Sequence, residues 1–232
     1  MGLFRSQDAT QSWSLSSQGI SVLDGQVVVF DPQVPSTIYL GTTNGVFRSR
    51  DNGTTWNNVA QFDGESLAVD PFDSNHLMVH SLNQRALLES HDGGVTWTKV
   101  TNLPPIPNGG SALILAVVFH PTVKGTIFIS TQGGGVGIVR STDGGASYAI
   151  TNSGLTNDRV RVIAANPQNP TMLFASTDVG IFRSTDGGNS WTLKTPVGSK
   201  YSTGHCKRIC SREIAFTMSP QRPWLATPEA VV

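Results

Sequence analysis

The sequence predicts an all-β fold assembled from one repeated four-stranded unit. Three observations carry the prediction: a polar phrase that recurs five times, a strand-like apolar stretch before every copy, and a composition rich in turn formers but poor in charge. The chain has 24 glycines and 13 prolines in 232 residues, and charged residues make up 14%, against roughly 25% in average usage. Helical bundles rarely tolerate so many helix breakers. The length suits one all-β domain.

The phrase reads Ser49-Arg50-Asp51-Asn52-Gly53-Thr54-Thr55-Trp56 in its first full copy. Later copies place Asp92 and Trp97, Asp143 and Tyr148, and Asp186 and Trp191 at the same positions. A worn copy opens the chain with Asp8 and Trp13, and carries Thr10 where the others have glycine. Successive aspartates lie about 41 to 51 residues apart, a spacing that marks a repeat architecture. The phrase suits a hairpin loop, because an aspartate carboxylate accepts local backbone N–H groups and glycine supplies positive φ.

The stretches before the copies are Gly2-Leu3-Phe4-Arg5, Gly45-Val46-Phe47-Arg48, Ala86-Leu87-Leu88-Glu89, Gly137-Ile138-Val139-Arg140 and Gly180-Ile181-Phe182-Arg183. Each holds two neighbouring apolar positions. Neighbours on a strand point to opposite faces, so the sheet must be covered on both sides. Two more strands precede each full copy, at 27–30 with 37–42, 67–69 with 77–81, 116–119 with 126–131, and 162–165 with 172–177. A proline ends the inner one each time, at Pro32, Pro71, Pro121 and Pro167, because proline cannot donate to a continuing ladder. The segment that starts at each phrase aromatic supplies the fourth strand. Four strands per ~43 residues is the blade of a β-propeller.

The expectation is therefore one propeller domain over 1–232, most simply five-bladed. Complete blades fall at about 27–60, 67–100, 114–151 and 161–194. The fifth is shared by 1–16 and 213–232, where N- and C-terminal strands pair and close otherwise open sheet edges. An irregular insertion at about 195–212 holds Cys206 and Cys210. The alternative is a piece of a longer propeller.

On these residues the phrase resembles the Asp-box, or bacterial neuraminidase repeat. That repeat occurs in sialidases, xyloglucan-degrading glycoside hydrolases, sortilin-type receptor domains and photosystem assembly factors similar to Ycf48. The resemblance covers nearly the whole chain. It implies that Asp8, Trp13, Asp51, Trp56, Asp92, Trp97, Asp143, Tyr148, Asp186 and Trp191 are structural, on the face opposite the usual ligand site. Function then belongs to the other face, where strand alternation puts the second-to-third-strand turns and the linkers between blades. The candidate ligand-binding residues there are Asn44, Asp63, Arg85, Asp158, Asp178 and Glu229.

Asp178 is also the one catalytic candidate. The segment Thr177-Asp178-Val179-Gly180 resembles the stretch that carries a catalytic aspartate in xyloglucan-degrading enzymes, although Ile181 stands where that motif has a second glycine. Hydrolysis of a glycoside needs two carboxyl groups at a defined separation. A sialidase reading fits poorly: Tyr39, Tyr148 and Tyr201 are the only tyrosines, and Arg5, Arg48, Arg140 and Arg183 share a structural position before the phrase serine.

The expected function is thus a non-catalytic module that binds a glycan or a protein, with a glycoside hydrolase of sialidase-like or xyloglucanase-like type as the alternative. Sixteen basic and sixteen acidic residues cancel, leaving no electrostatic footprint for nucleic acid. The longest apolar run, 112–119, is too short to span a bilayer, and the first residues lack the apolar centre of a signal peptide. The resemblance favours an exported setting, and the compartment stays open. No cofactor or metal is expected: His205, Cys206 and Cys210 offer three donors without the paired spacing of a structural zinc site. The chain is expected to be a monomer.

Overall fold

The computed structural model describes residues 3–20, 24–107 and 112–195. These form a β-propeller, with four complete four-stranded blades and a further two-stranded sheet. The two-stranded sheet pairs β1 (Phe4–Arg5) with β2 (Ser14–Leu15). Blade 1 runs β3 (Gly25–Phe30), β4 (Ile38–Thr42), β5 (Gly45–Ser49) and β6 (Asn57–Ala60). Blade 2 runs β7 (Ser66–Asp70), β8 (Asp73–Ser81), β9 (Ala86–Ser90) and β10 (Thr98–Lys99). Blade 3 comprises β11 (Leu113–Phe119), β12 (Ile127–Gln132), β13 (Ile138–Ser141) and β14 (Ala149–Ile150). Blade 4 comprises β15 (Val160–Ala165), β16 (Leu173–Thr177), β17 (Gly180–Ser184) and β18 (Thr192–Leu193). Every pairing is antiparallel between sequence neighbours, as short connections favour. The strands expected from 213–232 lie outside the described residues, as do Tyr201, His205, Cys206, Cys210 and Glu229.

In blades 1 to 4 the apolar pairs do what the pattern implies, whereas Phe4 of the first pair is 54% exposed. Phe128 packs with Ile163, Leu173 and Trp191 of blade 4, whereas its neighbours Ile127 and Ile129 pack with Met78 and Leu87 of blade 2. Val46 and Phe47 split in the same way between the cluster shared with blade 2 and the one that Leu3 joins. The core is therefore a series of layers between sheets, and each fully buried Leu, Ile or Phe contributes roughly 1.5–3 kcal/mol.

The phrase folds into one loop five times. In blade 4, Asp186 Oδ1 accepts from Ser184 Oγ at 2.7 Å and from Ser190 N at 2.9 Å, while Oδ2 accepts from Ser190 Oγ at 2.6 Å. Ser184 Oγ in turn accepts from Gly188 N at 2.8 Å. The same bonds recur around Asp51, Asp92, Asp143 and Asp8. Hydroxyl and backbone N–H donation from Ser190, followed by donation from Ser184, lowers the Asp186 carboxyl to about 2. Thr96 does the same to Asp92, Ser147 to Asp143 and Ser12 to Asp8, each to about 2, and Thr55 holds Asp51 well below the usual range.

Each loop is also tied to its neighbours. The indole N–H of Trp56, Trp97 and Trp191 donates to Ser16 O, Val59 O and Thr151 O of the preceding sheet or the segment following it. In the other direction, Arg5, Arg48 and Arg140 donate to Asn52 O, Gly93 O and Gly187 O of the next loop at 2.6–2.7 Å. Arg5, Arg48 and Arg140 are thus inter-blade ties.

The proline turns share this end of the molecule. A polar residue before each proline caps its turn: Asp31 accepts from Gln33 N, Asp70 from Phe72 N, His120 from Thr122 N and Asn166 from Gln168 N. In blades 1 to 4 the phrase loop and the proline turn are joined by a backbone bond, as from Gly93 N to Asn75 O and from Gly187 N to Thr171 O. Hydrogen bonds thus engage the phrase carboxylates and the turn N–H groups at this end.

Candidate functional site

The innermost strands β3, β7, β11 and β15 all start at the opposite face. They run down a central channel lined by residues such as Val28, Ala68, Val118 and Ala164, with a cavity of about 540 Å³. At their starts the channel opens into a mouth of about 400 Å³, bordered by Gln26, Glu65, His80, Leu82, Leu113 and Arg161.

Three of the four inner strands are bulged at this mouth. The register slips between Gly25 and Val27, between Ile114 and Ala116, and between Val160 and Val162. The extra residues are Gln26, Leu115 and Arg161, and all three line the mouth. A bulge re-aims one side chain out of the strand's alternation, a device common beside binding sites. Blade 2 has no slip at this height, and Ser66 pairs directly with His80. Burial keeps the His80 imidazole below its usual range despite the nearby Asp63 carboxylate, so His80 brings a neutral ring to the wall.

Asp178, the catalytic candidate, is engaged by two cations. Arg161 Nε donates to its Oδ1 at 2.7 Å, and Arg159 Nη1 lies 3.3 Å from Oδ2. Its motif is also a structural turn. Thr177 Oγ1 donates to Gly180 O and accepts from Val179 N, just as Thr42 Oγ1 donates to Gly45 O and accepts from Asn44 N in blade 1. Thr43 stands in blade 1 where blade 4 has Asp178. The four-residue pattern therefore encodes a turn that needs no carboxylate.

Asp63 and Asp158 are held in turns. Asp63 is buried and accepts from Ser81 Oγ, Leu82 N and Asn83 N at 2.6–2.9 Å. Asp158 Oδ2 accepts from Gly135 N at 2.9 Å. Each is a linker residue that caps a second-to-third-strand turn, satisfying N–H groups that would otherwise be orphaned. Arg85 is exposed at a turn with φ +47°. The structure thus pairs Asp178 with Arg161, which borders the mouth, and uses Asp63 and Asp158 as scaffold. Arg161 and Gln26 were not singled out by the sequence pattern, because a bulge interrupts the alternation by which strand faces are read.

Chemically, the mouth offers an apolar floor from Val27, Ile114 and Val162, with amide, guanidinium and carboxylate groups around it. Clefts that fix a ligand by a few convergent polar groups over apolar surface have this composition.

The chain matches curated xyloglucan-degrading enzymes over part of their length. It is 31% identical over 152 residues to a probable oligoxyloglucan-reducing end-specific xyloglucanase of Neosartorya fischeri, covering 58% of this chain and 18% of that protein. It is 30% identical over 189 residues to a xyloglucanase of a Paenibacillus species, covering 63% and 18%. The chain therefore spans about a fifth of the length of these relatives. Among solved structures, the GH74 xyloglucanase of Xanthomonas campestris superposes with a TM-score of 0.57 at 20% identity, covering 84% of this chain and 42% of that one. YCF48 bound to D1 peptide superposes with a TM-score of 0.58 at 17% identity, covering 85% and 62%. No family model matches. At these identities the structural likeness establishes the fold, a β-propeller of the kind seen in xyloglucanases and in YCF48.

Proposed function

We propose that this chain is an Asp-box propeller unit that binds a glycan of xyloglucan type at the channel mouth. The observation that carries the reading is the set of bulged residues: Gln26 and Arg161 are lifted from blades 1 and 4 to face one cleft with an apolar floor. Sugar rings present apolar C–H faces and rims of hydroxyls, which such a cleft matches. An extracellular setting goes with a polymeric glycan.

Hydrolysis is the second reading, and the curated relatives, all xyloglucanases, favour it. The geometry weighs against it: Arg161 and Arg159 engage the two carboxylate oxygens of Asp178 at 2.7 and 3.3 Å, and the turn that holds Asp178 recurs in blade 1 without a carboxylate.

Calorimetric titration with xyloglucan oligosaccharides, run beside an assay for newly released reducing ends, separates the readings. Binding without release, weakened roughly tenfold or more by Gln26→Ala and by Arg161→Ala, is the expected result. Gln26→Ala leaves the Arg161–Asp178 pair in place, so its effect reports on the mouth itself. Release that Asp178→Asn abolishes would establish the hydrolase, and absence of both binding and release would reject both readings.

A further inference from the structure

One junction between blades departs from the rule set by the others. Arg5, Arg48 and Arg140 each reach the next phrase loop, but the same strand position in blade 2 holds Glu89. A carboxylate cannot donate to a carbonyl. Glu89 nevertheless faces the next loop, for a Cβ placed on Gly145 would lie 3.4 Å from Glu89 Oε1. That point is also 3.0 Å from the hydroxyl of Tyr148, which is buried and without a hydrogen-bond partner among the described residues.

Two imidazoles converge on the same carboxylate. His76 Nε2 lies 2.7 Å from Glu89 Oε1, and His91 Nε2 lies 3.5 Å from it. One donor atom from each of the three residues falls within 4.8 Å of the others. His76 is buried and its Nδ1 lies 3.1 Å from Asp70 Oδ2, so Asp70 fixes the ring with Nε2 toward Glu89. A carboxylate behind a histidine that presents its other nitrogen is the outer shell found around metal-bound imidazoles. Phe119 of blade 3 packs edge-on against the His76 ring and helps to lock it.

We infer that His76, Glu89 and His91 form a site for a divalent transition-metal ion of the Zn²⁺ class at the edge of blade 2 that faces blade 3. Two imidazoles and a carboxylate suit such an ion and leave a position for water. The ion restores at this junction the positive charge that a guanidinium supplies at the others. The rings of His76 and His91 are stacked with centroids 4.7 Å apart, so His91 must turn to aim its nitrogen in plane. At 64% side-chain exposure it has room to do so.

The test is titration of the full chain with ZnCl₂ and with CoCl₂, in a Cys206→Ser, Cys210→Ser background that removes the thiols as rival ligands. One ion per chain, a raised melting temperature and a visible Co²⁺ spectrum are expected. His91→Ala, a change at an exposed side chain that removes a direct ligand, weakens binding at least as much as the roughly tenfold to hundredfold that loss of an outer-shell partner costs. Glu89→Arg abolishes binding but restores the repeat's own inter-blade tie, so the protein stays folded. Absence of binding in the parent, or binding unchanged in both His91→Ala and Glu89→Arg, overturns the proposal.

Discussion

The first sheet and blade 4 carry the same loop in different surroundings. Asp8 is held by Ser12 and Ser6 as Asp186 is by Ser190 and Ser184. Yet Trp191 is 3% exposed and packed among Phe128, Leu173 and Phe182, whereas Trp13 is 59% exposed. The loop's hydrogen bonds are therefore local and alike in both settings, while the tryptophan's burial depends on the neighbouring side chains it packs against. The backbone differs too. Gly188 sits at φ +88°, and the matching position in the first loop is Thr10 at φ +73°, beside Ala9 at +54°. Side chains in that region cost about 1–2 kcal/mol each.

The largest expected consequence concerns the tryptophans. Trp191→Ala removes a buried ring and its bond to Thr151 O, and should cost about 3–5 kcal/mol. Trp13→Ala should stay within about 0.5 kcal/mol. Urea melts of both variants check the contrast, and equal losses would mean that Trp13 is as well packed as Trp191. Next come the loop backbones. Gly188→Ala places a methyl 2.9 Å from Phe128 Cε1 at a left-handed φ, and a loss of about 2 kcal/mol is expected. Thr10→Gly relieves the same kind of strain, partly offset by glycine's entropy, and should gain about 0.5 kcal/mol.

The smallest effect separates the two regions least. Asp8 and Asp186 share a carboxyl value of about 2, against an ordinary 3.8. Folding lowers both, so their stabilisation is complete above about pH 4 and is lost as pH falls through 2. Melting curves from pH 5 to 2 should show that loss, and Asp186→Asn should flatten it. A carboxylate titration by NMR should place Asp8 beside Asp186. An ordinary value for Asp8 would show that the first loop is not closed.

The sheet pattern was readable because each blade repeats two neighbouring apolar residues, and a pair such as Val46 and Phe47 can be buried on both faces only between stacked sheets. The loops were readable for the same reason, as serine, aspartate and glycine recur at fixed offsets. The mouth was less so. Arg161 looks like an ordinary strand residue until the pairing jumps from Val160 with Thr177 to Val162 with Ser176. Asp63 and Asp158 read as ligand groups because they sit in linkers on the open face, but unpaired turn N–H groups claim them first. The cluster of His76, Glu89 and His91 draws on two strands and a loop, and only the departure of Glu89 from the arginine position hints at it.

If the phrase loops hold the wheel together and the opposite mouth meets the ligand, a paired titration separates the two roles: xyloglucan oligosaccharide binding to Gln26→Ala and to Asp186→Asn, each with its acid unfolding curve. Gln26→Ala should lose affinity and keep the parent's acid profile, while Asp186→Asn should keep affinity and change the profile. Affinity lost through Asp186→Asn in a folded protein, with Gln26→Ala binding as the parent does, would contradict that division.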